Sequence, residues 1–170
     1  RELTLTLTGG ATACVDLAAG EHRSFLLSDL FGTELAAGQT VRLTGAEGCV
    51  AAAFYGYTAG GADMLCALPL SGGAQKLIVP HLATSDGWWT GLVMANAGNA
   101  QAQLTVRPYT AAGEALAQHD IDLAAAASLA ATPGGLNLPQ ASSWLEIGST
   151  ADASLAGAAF YGTSGCTAAD

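Results

Sequence analysis

The sequence predicts an all-β protein built from two tandem antiparallel β-sandwich units, the first lacking its opening segment. Three observations carry that expectation. Apolar and polar residues alternate with a period of two in "LTLTLT", where Leu3, Leu5 and Leu7 point one way and Thr4, Thr6 and Thr8 the other. The pentapeptide "AAFYG" occurs twice, ending at Gly56 and again 106 residues on at Gly162, and the same offset sets "VDLAAG" from Val15 on "IDLAAA" from Ile121. Short strand-like runs are separated throughout by Gly, Asn and Pro, at the spacing typical of antiparallel sandwiches.

The elements follow in order. A first, incomplete repeat is expected over residues 1–64, an inter-repeat segment with strand-forming pieces over 65–80, and a second, nearly complete repeat over 81–170. Within the first, "VRLTG" from Val41 aligns with "LEIGS" from Leu145, and "LTLTLTGG" falls roughly on "QLTVRPYTAAG". "SFLLSDLFGTEL" is the one local exception, predicted as a single helical turn over Leu30 and Phe31, capped by Ser28 and stopped at Gly32. In the second repeat, "TSDGWWTGLVMANAG" supplies an initial strand that the first repeat does not match, which predicts an open sheet edge there. The inter-repeat segment, through Leu68–Leu70 and Lys76–Val79, is the expected cover, packed between the units. Pro108, inside an alternating run, predicts an edge or a bulge. The Ala-rich "LAAAASLAA" has helix propensity, but the repeat register makes it strand and loop.

Composition removes several function classes. With 5 Lys plus Arg against 14 Asp plus Glu and a net charge of −9, the chain is unsuited to nucleic acid, whose affinity rests on basic side chains neutralising phosphates. Anionic membrane surfaces are disfavoured for the same reason, and no apolar run approaches the ~18–20 residues of a spanning helix. The chain begins at Arg1 with no signal-peptide pattern, which reads as a mature product or an excised fragment. Its four cysteines, Cys14, Cys49, Cys66 and Cys166, show no C-x-x-C spacing, so disulfides are the leading reading and buried reduced thiols the alternative. Four cysteines permit three pairings. The expected one is Cys14 with Cys49, inside the first repeat, and Cys66 with Cys166, tying the inter-repeat segment to the chain end.

Around Trp88 the stretch "PHLATSDGWWTGLVMANAGNAQAQLTVRPYTAAGEAL", followed by "SWLEIGSTADASLAGAAFYG", resembles the Ig-like β-sandwich repeats of exported and surface proteins of bacteria. The resemblance covers the second repeat and the later part of the first. It implies a secreted, periplasmic or cell-surface location and the sandwich architecture rather than a chemistry, and leaves other modules of the same protein, another protein or a surface glycan as the candidate partners.

No pattern for catalysis emerges. His81, Ser85 and Asp86 have the residue types of a hydrolytic triad, but they crowd into one loop, whereas triads converge from separate elements. There is no G-x-S-x-G, H-E-x-x-H or phosphate-loop motif, and strand alternation sends His119 away from Asp120 and Asp122. The sequence therefore predicts no enzyme, no cofactor and no metal site. The strongest candidate surface is aromatic. Trp88 and Trp89, adjacent in a strand, face opposite sides, so one is expected in the core and the other exposed as a platform for sugar stacking, flanked by Asp86 or Asn96. Trp144, opening a strand, reads as a core or inter-sheet residue. The expected function is a non-catalytic structural or adhesive module, with carbohydrate binding through an exposed Trp as the alternative.

Overall fold

The computed structural model of the chain describes residues 1–36, 39–59, 62–70, 72–149 and 155–163; the side chains of 55–59, 62–66 and 69 lie outside that description. The chain divides into two compact units, Arg1–Val50 and Ala51–Asp170.

In the first unit the Leu/Thr alternation becomes β1 (Glu2–Leu7), with Leu3, Leu5 and Leu7 buried and the threonines turned outward. β2 (Thr12–Asp16) and β3 (Val41–Thr44) flank it in an antiparallel sheet of order β2-β1-β3. The predicted helical turn is present as α1 (Leu27–Phe31), and Gly32 ends it in the left-handed conformation at φ 66°, its N–H donating to the Ser28 carbonyl. The capping expectation is corrected: Leu26 occupies the N-cap and Ser28 lies inside the turn, so no side chain caps it. Leu27, Leu30 and Phe31 pack instead against Leu3, Leu5 and Val15, so apolar contact fixes the turn. Nearby, Glu21 accepts the Ala18 N–H at 2.7 Å and the Arg23 Nε–H at 2.7 Å. The Ala18 bond, then Arg23, hold its carboxyl below the usual Glu range, so this contact is complete above that range and is lost as pH falls through the lowered value.

The second unit opens with a hairpin of β4 (Ala52–Ala59) and β5 (Ala62–Pro69). The first "AAFYG" thus finds its partner strand in the segment that follows it. The remainder is two antiparallel sheets over one core. One has the order β6-β11-β8-β9, from β6 (Lys76–Val79), β11 (Trp144–Ser149), β8 (Ala102–Tyr109) and β9 (His119–Leu123). The other has the order β10-β7-β12, from β10 (Ser128–Ala131), β7 (Trp88–Asn96) and β12 (Leu155–Thr163). Leu104, Val106, Leu145 and Ile147 from the first sheet meet Leu92, Met94 and Leu155 from the second, making an all-β sandwich. Ala74 and Leu155 exchange both backbone hydrogen bonds, at 2.9 and 2.8 Å, so the chain leading into β6 clips the edge of β12 before joining the other sheet.

Pro108 sits where β9 has already left β8. Only Leu145 stands opposite it across the ladder, and its carbonyl accepts the Leu116 N–H at 2.9 Å, so the missing N–H disrupts nothing. The Ala-rich run supplies β10 with a turn before it, at Ala126 (φ 55°).

The sheets of the two units share order and register. Leu5 stands opposite Leu43 as Val106 stands opposite Ile147, and Thr6 opposite Arg42 as Arg107 opposite Glu146. Leu3 meets Val15 as Leu104 meets Ile121, and Thr4 meets Cys14 as Thr105 meets Asp120. The order β2-β1-β3 is thereby matched, strand for strand, by β9-β8-β11.

The Cys14–Cys49 pairing is corrected. Both are free thiols. Alternation along β2 buries Val15 and turns Cys14 outward beside the Thr4 hydroxyl, 4.0 Å away, while Cys49 packs on the opposite face against the Leu3, Leu5 and Val15 core. A sheet stands between them, too thick for a bond that needs Cβ atoms about 4 Å apart. The pairing of Cys66 with Cys166 lies outside the described side chains. In a chain carrying C66S and C166S, a thiol reagent should find Cys14 at once in the native state and Cys49 more slowly, and mild oxidation should leave the first unit's stability unchanged. A thiol count of zero after oxidation of the monomer would contradict this arrangement.

Candidate ligand-binding groove

The loop between β6 and β7, residues 80–87, crosses one end of the sandwich and is pinned at several points. Leu82 is buried as its anchor, and its N–H donates to the Ser143 carbonyl at 2.8 Å. The Ala83 N–H donates to Thr90 Oγ1 at 2.7 Å, and that hydroxyl donates back to the Ala83 carbonyl at 3.0 Å. The Tyr161 hydroxyl, from β12, donates to the His81 carbonyl at 2.9 Å, and the two rings stack with centroids 6.0 Å apart. A tight turn closes the loop: Asp86 and Gly87 both have positive φ (55° and 78°), and the Trp88 N–H reaches the Ser85 carbonyl at 2.9 Å. An Asp-Gly pair meets that demand with little strain.

These pins shape a groove of about 520 Å³, walled by His81, Thr84, Ser85, Trp88, Gln140 and Tyr161. Its chemistry is aromatic and polar: among the described residues, no Lys, Arg, Asp or Glu lines it. Asp86 stands on the exposed turn between Ser85 and Trp88, at the margin rather than in the wall.

Neither indole is in the core, which corrects the expectation that one would be. Trp88 is 51% exposed and Trp89 43%. Trp88 has the parity of the buried Thr90, Leu92 and Met94, but it begins the strand at the end of the sandwich, where it becomes a groove wall. Trp89 lies on the outer face, directly across from Gly162. A Cβ built on Gly162 would lie 2.4 Å from the Trp89 ring and one on Gly91 3.2 Å, so the indole lies flat on bare backbone that only glycines leave open. The two tryptophans therefore serve two surfaces.

Asn96 does not join them, a second correction. It ends the same nine-residue strand that Trp88 begins. It is 1% exposed, and its side-chain amide donates to the carbonyls of Ala100, Leu123 and Ala124 while its Oδ1 accepts the Gly98 N–H. The amide ties two loops together. Trp144 is corrected as well: it stacks on Tyr109 across the outer face of β11 and β8, with centroids 3.9 Å apart and rings 5° from parallel.

His81 and Ser85 both border the groove, as residues four apart in a folded loop would. On β9, Asp120 and Asp122 are exposed on one face, with the Thr105 hydroxyl donating to Asp120 at 2.9 Å, and His119 has the parity of the core-facing Ile121 and Leu123. Among the described residues, no three His, Cys, Asp or Glu side chains gather as a metal site would need, and no helix is long and apolar enough to cross a membrane.

Tyr161 and the stretch 140–143 were not legible as groove residues. Recurrence of the tyrosine in "AAFYG", as Tyr55 and Tyr161, reads as a shared structural role, and its bond to His81 spans 80 residues of sequence.

No protein-family model matches the chain, and no curated protein does. Among solved structures, the Anabaena sensory rhodopsin transducer aligns with 54% of this chain and 99% of its own length, at 14% identity and a TM-score of 0.43.

Proposed function

We propose that the second unit is a non-catalytic carbohydrate-binding module of an exported or cell-surface protein of Ig-like tandem repeats, an adhesive role exercised through a glycan. The single observation that carries this reading is Trp88, half-exposed in the wall of a groove whose other walls are a tyrosine, a histidine ring and uncharged hydroxyl and amide groups. A sugar ring offers an apolar C–H face, which an indole or phenol ring covers, and a rim of hydroxyls, which Thr84, Ser85 and Gln140 would meet. Among the described residues no Lys or Arg lines the groove, which suits a neutral glycan better than a phosphorylated or sulfated one. The pinned loop supports the reading further, because a groove that is already built costs little ordering when it binds.

The test is a titration with neutral polysaccharides and cell-wall glycan fragments, following Trp emission and calorimetric heat. Saturable binding is expected, with Trp88→Ala weakening it by about tenfold or more, as an aromatic anchor should. Trp89→Ala, on the other face, should leave that binding unchanged. A flat response across the panel would remove carbohydrate as the ligand. Loss with Trp89→Ala but not with Trp88→Ala would move the site to the outer face.

A further inference from the structure

We infer that the edge of β3 left uncovered among the described residues of the first unit accepts an extended polypeptide strand, in the place that β6 fills beside β11 in the second unit, and that this strand carries an acidic residue diagonally across from Arg42, as Lys76 of β6 lies diagonally across from Glu146. The inference rests on the register shared by the two sheets, in which β3 is the counterpart of β11. In the second unit β11 has a neighbour on each side, β8 and β6. In the first, β3 ends the sheet, with β1 as its one neighbour among the described residues.

The side chains record the difference. Leu145 and Ile147, opposite Val79 and Leu77 of β6, are 0% and 1% exposed. Their counterparts Val41 and Leu43 are only half-buried. Apolar residues alternate along β3 as they do along β11, yet among the described residues no strand finishes covering them. An open edge with apolar residues on one face is what strand addition uses: the backbone supplies affinity, and alternate side chains supply the fit.

Charge sets the specificity. On the outer face Glu146 of β11 pairs with Lys76 of β6 at 3.1 Å. The residue in the Glu146 position of β3 is Arg42, exposed and with no ion pair among the described residues. The complementary strand therefore has two apolar residues at alternate positions, like Leu77 and Val79, and Asp or Glu where β6 has Lys76.

The experiment titrates the full chain with the labelled peptides AQELIVP and AQKLIVP. The second is the natural sequence of residues 74–80 and the first replaces its lysine. Anisotropy reports binding, and hydrogen exchange maps it. The acidic peptide should bind about fivefold more tightly than the lysine peptide, the scale of an exposed ion pair gained and a like-charge contact removed. Binding should slow exchange at Val41–Thr44, and N-methylation of alternate peptide amides should abolish it. Arg42→Glu, a change at an exposed position, should invert the preference. Absence of saturable binding would overturn the inference. So would protection confined to β6, β11 or β12, a preference that Arg42→Glu leaves as it was, or amides of Val41–Thr44 already fully protected in the free chain.

Discussion

Replacing Asn96 with alanine is expected to lower the unfolding free energy of the second unit by about 3–5 kcal/mol, among the largest losses a single substitution produces. The side chain is 1% exposed and makes four hydrogen bonds, to the carbonyls of Ala100, Leu123 and Ala124 and from the Gly98 N–H. Alanine removes the partner of every one, and of these bonds the one to the Leu123 carbonyl is fully buried and the other three partly so. Each orphaned buried group costs about 1–3 kcal/mol, and the sum falls short of additive because the loop after β7 relaxes. Asn96→Asp separates hydrogen bonding from shape. A carboxylate keeps the size and the acceptor for Gly98 but points an oxygen at three carbonyls, so it should be no better than alanine near neutral pH. The measurement is simple, because Trp88, Trp89 and Trp144, all the tryptophan in the chain, lie in the second unit. Guanidinium unfolding followed by Trp emission reports that unit alone. An unchanged midpoint in the alanine variant would mean that the amide is dispensable to the two loops.

Asn96 also marks where sequence reading stops. Its parity along β7 is that of Leu92 and Met94, and that face is the core, although the sequence reading expects it beside an exposed indole. What alternation cannot supply is depth along the strand. Trp88 has the same parity as Asn96, yet one begins β7 beyond the reach of the facing sheet and the other ends it under two loops. The polar residue is therefore buried and the aromatic one exposed, the reverse of what hydrophobicity alone predicts. The strands themselves were legible because their signal is local: Leu and Thr alternating in β1, Leu104 and Val106 in β8. Pairings between distant residues were not. Nothing in the sequence tells that Tyr161 closes on His81, that Trp144 finds Tyr109 on an outer face, or that Cys14 and Cys49 lie on opposite sides of one sheet. The glycines of β12 show the same limit. Gly162 reads as a weak strand residue until Trp89 is seen lying on it.

Ile147→Ala should cost the second unit about 2–5 kcal/mol, and Leu43→Ala should cost the first only about 1 kcal/mol, although the two residues hold equivalent positions in their sheets. The reasoning is one of packing. Ile147 is 1% exposed, enclosed by Leu77 and Val106 alongside and by the facing sheet, so deleting its side chain opens a cavity that the surrounding strands cannot close. Leu43 has β1 on one side and no described neighbour on the other, so part of its surface already meets water and the gap left by alanine is largely solvent. The first unit has neither Trp nor Tyr, so its unfolding is read by hydrogen exchange at β1, whose amides lie inside the sheet. The contrast also tests what covers β3. If an added strand completes the sheet as β6 completes the other, then the cost of Leu43→Ala, measured with the acidic peptide bound, must rise toward that of Ile147→Ala, because the same side chain is then enclosed on both flanks. A cost that stays the same with and without the peptide would mean that any bound strand lies elsewhere than along β3.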